Sequence, residues 1–252
     1  MTTLADAHPR EEISLLASLN GEWLKLPLPI MRDVGPAVQT LGGILREANK
    51  ETFVSAGKLA QKSRLPVATV RKHLVTLHNR GWIDNVGRCH TRAGRARRTC
   101  TIKVTAKTKG TLGDYSILPW WACGLRVGFF PWSCKAVLSV VMSRLAAMKA
   151  AIERQDGKGV DADDFWGSLD NMGGADKFRF SLKSLRSETG LSRPAIVDAK
   201  RRLASLGIVE WIRNTRDGGD DTDVLFPNQA CRVVVTPKSD GTCTLTFKVA
   251  RG

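Results

Sequence analysis

The feature that most constrains this chain is an internal repeat. The segment "SAGKLAQKSRLPVATVRKHLVTLHNRGWID", residues 55–84, lies without a gap on "SLKSLRSETGLSRPAIVDAKRRLASLGIVE", residues 181–210. Few letters coincide, and those that matter are apolar or glycine: Leu59 with Leu185, Leu65 with Leu191, Leu77 with Leu203, and Gly81 with Gly207. Val70 aligns with Ile196, and Trp82/Ile208 and Ile83/Val209 are apolar in both copies. One supersecondary unit has been used twice, and each copy must hide the same positions.

Within a copy the spacing predicts a short helix over about 57–63 or 183–189, then a tight turn ending at Leu65 or Leu191. A second helix opens at Pro66 in one copy, and at Ser192 as N-cap with Pro194 in the first turn in the other. Val70, Leu74 and Leu77, or Ile196, Ala199 and Leu203, recur every three to four residues and form one buried stripe. The opposite face holds Val67, Thr69, Arg71 and Lys72 in the first copy, and Arg193, Ala195, Val197, Asp198 and Arg201 in the second. Gly81 and Gly207 suit helix C-caps, where positive φ is needed. A β hairpin then follows: "WIDNV" with "TCTIKVT" in the first copy, and "IVEWIR" with "ACRVVVT" around the loop "NTRDGGDDTDVLFPNQ" in the second. A last strand, "TCTLTFKVA", returns through Ser239-Asp240-Gly241, an Asp-Gly hairpin signal.

Upstream of each copy stands a short Leu-Pro element and then a Pro-started helix, in "WLKLPLPIMRDVGPAVQTLGGILREAN" and "YSILPWWACGLRVGFFPWSCKAVLSVVMSRLAAM". The helix from roughly Trp132 to Glu153 is apolar on more than one face, which predicts a central position between the domains or a homodimer contact with a second copy. The segment from Gln155 to Asp176, rich in Gly and Asp, reads as a surface loop pinned by Phe165 and Trp166. The expected fold class is α+β, mainly α with small β hairpins, with two helix-turn-helix-wing domains in tandem. Their expected limits are an N-terminal extension over 1–20, a first domain over 21–112 and a second over 113–252.

Charge narrows the partners. Lys and Arg number 39 against 24 Asp and Glu, a net +15, and the first half holds most of the excess. No acidic residue lies between Asp84 and Asp114, where the wing tip "GRCHTRAGRARRT" carries Arg88, Arg92, Arg95, Arg97 and Arg98. Such crowding is tolerated where a bound polyanion neutralises it. Apolar runs such as "AVLSVVM" are too short to span a membrane, and "MTTLADAHPREE" has no leader pattern, so a cytoplasmic protein associated with nucleoid or plasmid is expected.

The residues predict double-stranded DNA as the partner. Arg71 and Lys72 suit guanine O6 and N7, with Val67 and Thr69 beside them for thymine methyl groups. Arg64, just ahead of the helix, would meet phosphate, and the wing arginines would follow the sugar-phosphate backbone or a narrow minor groove. In the second copy Arg193, Val197 and Arg201 fill the same role, while Asp198 and the wing acids Asp217, Asp220, Asp221 and Asp223 weaken it.

No phosphate loop, no nucleophile with its base and no metal-binding carboxylate set is evident, so no enzyme, cofactor or metal is expected. His8, His73, His78 and His90 lack ligand spacing, and Asp217 to Asp223 lacks the terminal Glu of a calcium loop. The six cysteines form no C-x-x-C pair and read as thiols, although Cys89 with Cys100 and Cys231 with Cys243 stand where hairpin disulfides could form. An alternative reading is a protein-interaction scaffold whose basic wing holds nucleic acid nonspecifically.

"TGLSRPAIVDAKRRLASLGIVEWI" resembles the helix-turn-helix of winged-helix repressors of the multiple-antibiotic-resistance type, and "SRLPVATVRKHLVTLHNRGWI" resembles the same element. Two such units with their lead-ins, over roughly residues 20–250, are similar in architecture to the tandem winged-helix plasmid replication initiators. The resemblance implies base contacts at Val67, Thr69, Arg71, Lys72, Arg193, Val197 and Arg201, backbone contact at the first wing, and a role in transcription regulation or plasmid replication initiation. The acidic second wing departs from that pattern.

Overall fold

The computed structural model describes residues 11–46, 52–90, 96–124, 130–156, 159–213, 222–237 and 243–249. Strand β1 (Glu11–Ser14) leads through a 3-10 turn at Ala17–Leu19 to β2 (Trp23–Pro27), whose alternation buries Leu24 and Leu26 and leaves Lys25 in solvent. Helix α1 (Leu28–Val34) opens behind Pro27, and α2 (Ala37–Leu45), buried almost throughout, follows it. Then come β3 (Thr52–Ser55), α3 (Ala56–Ser63) and α4 (Val67–Asn79). Ser55 Oγ caps α3 by accepting from Lys58 N at 3.1 Å, and Gly81 at φ +71° ends α4 while Trp82 N donates to Leu77 O. The hairpin of β4 (Ile83–His90) and β5 (Ala96–Val104) completes the unit, and α5 (Ala106–Lys109) leads on.

The second unit repeats this course. It runs through β6 (Tyr115–Pro119), α6 (Trp120–Cys123), the long α7 (Trp132–Asp156), α8 (Ala162–Asn171) and α9 (Gly174–Lys177) to β7 (Arg179–Ser181). Next are α10 (Leu182–Thr189), α11 (Arg193–Ser205), β8 (Val209–Ile212) and β9 (Thr222–Pro227), and last β10 (Cys231–Pro237) and β11 (Cys243–Val249). Ser181 Oγ caps α10 as Ser55 caps α3, and Gly207 at φ +67° ends α11 as Gly81 ends α4. The two hairpin sheets share one strand order, β3-β5-β4 and β7-β9-β8. A ribbon of β2 and β6 joins the units, and a third three-stranded sheet runs β1-β10-β11. Among the described residues, helices and four small antiparallel sheets thus make a mixed α+β fold.

The core is continuous through both units, and α7 is its axis: Cys134, Ala136–Met142, Leu145 and Ile152 are buried against β6, α10, α11, α8 and β9. The apolar faces of α7 are therefore covered within one copy, and the second copy expected against it is not needed to hide them. No described helix is long and apolar enough to cross a membrane.

Three expectations need correction, and the disulfide alternative for Cys231 and Cys243 is closed. Residues 155–176 are largely helical rather than loop: Asp161 caps α8 by accepting from Asp164 N at 2.9 Å, Asp163 and Asp164 suit its N-terminus, and Phe165 and Leu169 fall one turn apart on the buried side. The second strand of the second hairpin is β9, not Cys231–Pro237, which belongs to the terminal sheet. Residues 11–20 are not an appendage, because β1 pairs with β10, Leu15 and Leu16 are buried, and Ser18 Oγ accepts from Trp121 Nε1 at 3.0 Å. Cys231 and Cys243 sit at opposite ends of their hairpin, opposite Val249 and Pro237, so they cannot be bridged. Cys123, Cys134 and Cys231 are buried free thiols whose pKa values burial pushes up to about 12, 11 and 11, and so they are inert.

The repeats interlock at their helix ends. Gly190, with φ +70°, caps α10, and a Cβ there would stand 2.9 Å from Arg32 Cα on α1. Gly81 has the same left-handed backbone with open space around it. Gly190→Ala is expected to destabilise the fold by ~2–4 kcal/mol and Gly81→Ala by only ~1 kcal/mol, as read by urea unfolding. Equal losses would mean that the α1–α10 contact carries no packing energy.

Candidate nucleic-acid interface

Helix α4 is anchored by Val70, Leu74 and Leu77, all buried against α2 and α3. Thr40 Oγ1 on α2 shares a hydrogen bond of 2.8 Å with His73 Nδ1, and burial holds that imidazole neutral by lowering its pKa to about 4. With one side fixed, the other presents Arg71, Lys72 and Thr76 in solvent, with Val67 at 39% and Val75 at 59% exposure. Val75 was not among the predicted contacts. Its position one turn beyond Arg71 is the signal that finds it, since i and i+4 share a face. Thr69 is half-buried at the margin of that face.

Helix α11 repeats the arrangement, buried at Ile196, Ala199, Lys200 and Leu203 and exposed at Arg193, Asp198 and Arg201, with Val197 half-buried. Asp198 and Arg201 approach at 3.8 Å with both side chains largely in water, a pairing worth little and easily exchanged for another partner. Lys200 occupies the place of Leu74 and is wholly buried, its Nζ 2.7 Å from Asp223 Oδ2 on β9. Asp223 is therefore an interior counter-charge and not one of the wing acids. Asp217, Asp220, Asp221 and Arg216 lie outside the described residues. Arg213 is exposed and lies over the Trp211 ring at 4.4 Å.

In the first hairpin, β4 and β5 pair through bulges between Asn85 and His90, and the register sets Arg88 opposite Cys100 and His90 opposite Ala96. Arg97 and Arg98 stand on β5; the side chains of Arg88, Arg97 and Arg98, and the whole of Arg92 and Arg95, lie outside the described residues. The hairpin follows directly on Gly81, so its strands leave from the C-terminal end of α4.

Arg64 does not join this surface. It ends α3 in the left-handed conformation (φ +49°), and its guanidinium lies over the Trp120 ring at 4.7 Å, where Arg46 also stacks at 4.9 Å. Arg46 in turn meets Glu22 at 3.0 Å. The stacking draws Arg64 into the junction between the units, and its expected phosphate contact is replaced by a cation–π contact.

That junction holds a buried polar knot. Gln39 Nε2 donates to Ser63 O at 2.7 Å and to Cys123 O at 2.9 Å, and Lys135 Nζ donates to Cys123 O at 3.0 Å and Gln39 Oε1 at 3.4 Å. Burial lowers the Lys135 ammonium from its ordinary 10.5 to about 8. Between those values the unfolded chain still holds a proton that the folded chain has released, so this group makes stability rise with pH there. Below about pH 8 the fold bears the whole cost of the buried charge. Lys135→Met is expected to raise stability by ~1–3 kcal/mol at pH 7, with the gain shrinking toward zero by pH 10.5. Urea unfolding of both proteins at the two pH values checks this, and a gain independent of pH would refute it.

Compared with protein-family models, with curated proteins and with solved structures, the chain matches none.

Proposed function

We propose that this chain is a sequence-specific double-stranded DNA-binding protein of two winged helix-turn-helix units, acting as a transcription regulator or as an initiator that marks an origin or element end. One observation carries the reading: the outward face of α4. Two exposed valines flank an Arg-Lys pair on a helix whose other side is locked into the core. A merely solvated face gains nothing from exposed valines, whereas a major-groove surface uses them against thymine methyls beside cations that read guanine. Val67, Thr69, Arg71 and Lys72 take base edges from α4, and Arg193, Val197 and Arg201 from α11. Arg88, Arg92, Arg95, Arg97 and Arg98 neutralise phosphates, a division of labour between specificity and grip.

Selection from random-sequence duplex DNA tests the reading. A preferred site should be bound about a thousandfold or more tighter than bulk DNA. Arg71→Ala is expected to lose ~1–3 kcal/mol at one base pair, and Arg97→Ala to weaken every duplex alike and lower the salt slope by about 1. Indifference to sequence, with both variants behaving alike, would leave the scaffold reading in its place.

A further inference from the structure

We infer that Asp198 and Arg201 act as a couple that reads one G·C pair, Arg201 taking the guanine and Asp198 the cytosine, so that Asp198 is a specificity-determining residue of α11. The inference rests on the DNA-binding reading above and names the base pair that this helix selects.

Helix geometry puts these two residues at the centre of the outward face. At about 100° per residue, Ile196, Ala199, Lys200 and Leu203 gather on one side of α11, and the line directly opposite runs through Pro194, Asp198, Arg201 and Ser205. The exposures agree. Those four are exposed, as is Arg193 at the first helical position, whereas Ala195, Val197, Arg202 and Ala204 are half-buried. Asp198 and Arg201 are thus the two charged groups farthest from the core, with Arg193 and Val197 on one flank.

The fold itself gives little reason for a carboxylate at this point. Asp198 is the sixth of the thirteen residues of α11, too far from the N-terminus for the helix dipole to favour it, and aspartate is a poor helix former. Its approach to Arg201 at 3.8 Å, with the two side chains 62% and 65% exposed, stabilises the helix only slightly. The first unit does without such a pair: Lys72 and Val75 occupy the aligned positions, and α4 contains no acidic residue. In a chain of net charge +15, a carboxylate at the point of closest approach to a polyanion opposes binding unless it meets a donor.

The major groove supplies that donor at one kind of base pair. A G·C edge presents two acceptors, guanine N7 and O6, and then one donor, the cytosine N4 amino group. An arginine fork takes both acceptors and a carboxylate takes the donor, so a couple of opposite charge covers every polar group on the edge. An A·T edge places its adenine N6 donor between two acceptors, and neither the fork nor the couple matches it. Residues at i and i+3 stand side by side on a helix, and the 3.8 Å approach shows that these two side chains can address one pair together. In water they hold each other loosely, so trading partners costs little. At a mismatched pair Asp198 is desolvated without a donor, and that penalty, as much as the attraction at G·C, discriminates.

The test starts from the duplex chosen by selection. Each of its G·C pairs is changed in turn to A·T, and binding of the wild type is compared with that of Arg201→Ala. The pair that the wild type distinguishes and Arg201→Ala does not lies under the couple. Its cytosine is then replaced by 2-pyrimidinone, which lacks only the 4-amino group, with the same replacement at the other G·C pairs as control. Wild-type binding is expected to fall about tenfold at that pair alone, and Asp198→Ala to be indifferent to the replacement. Asp198→Ala should also bind the selected duplex more weakly and bulk DNA more tightly, opposite signs that the loss of a surface ion pair does not produce. The pyrimidinone measurement uses the wild-type chain, so it decides even if a variant folds poorly. Indifference of the wild type to the missing amino group, or an Asp198→Ala variant that binds every duplex more tightly, overturns the inference and leaves the DNA-binding reading standing. If selection yields no preferred duplex, that reading itself falls.

Discussion

The pairing of β2 with β6 is the interaction on which the rest of the molecule depends. Alone, a two-stranded ribbon of five residues a side is marginal in water. Here its inner face, Leu24, Leu26, Ser116 and Leu118, is wholly covered, and α2 and α7 press on it from the two units. Ser116 and Ser139 hydroxyls meet at 3.0 Å, so the one polar position on that face has its partner. Slipping the ribbon by one residue would turn the leucines outward and swing each unit with its strand. The mutual orientation of α4 and α11 is thus set far from either helix, by a register that burial enforces.

Two buried lysines show how differently a charge can be accommodated. Lys200 has a carboxylate at 2.7 Å on the adjacent sheet, and the pair takes the place that Leu74 holds in the first unit. Register sets Ser55 opposite Thr99 and Ser181 opposite Thr222, so the residue aligned with Asp223 in the first hairpin is Cys100. Breaking such a buried pair on one side only leaves an orphan charge and costs roughly 3–5 kcal/mol. Lys135 has carbonyl oxygens as its partners, and burial accordingly draws its proton affinity down. It sits where Gln39, Ser63 and Cys123 tie α2, α3 and α6 together, and so gives the junction hydrogen-bonding groups that fit only one arrangement.

What could be read from the sequence was what is local. The helix pairs, the N-cap position of Ser192, the glycine stops and the buried stripes follow from spacing of a few residues, and the structure has them with small shifts of boundary. The solvent face of α4 was legible for the same reason, and Val75 escapes it because an exposed apolar residue carries no charge to mark the face. The misreadings arise where distant chain overrides local composition. Residues 155–176 look like loop because aspartate and glycine dominate, yet the aspartates gather at the N-terminus of α8, where the helix dipole favours them, and glycine gathers at its end. Strand β9 was hidden by Asp223, a charge no strand of the interior should carry until Lys200 is known to lie behind it. Arg64 read as a phosphate contact because nothing nearby in sequence announces Trp120. The interlocking of the two units was equally invisible, since it depends on pairing equivalent strands across most of the first unit.

The sheet β1-β10-β11 has a kinetic meaning. Glu11–Ser14 finds its hydrogen-bonding partners in Arg232–Val235, with nearly the whole fold lying between them along the chain. During synthesis β1 leaves the ribosome before either unit exists, and β10 emerges only after both. Closing so long a loop is entropically demanding, and such pairings form late. The strand made first is thus among the last to be locked, and until then the nascent chain carries an unsatisfied β edge that a chaperone, or a neighbouring nascent chain, can occupy.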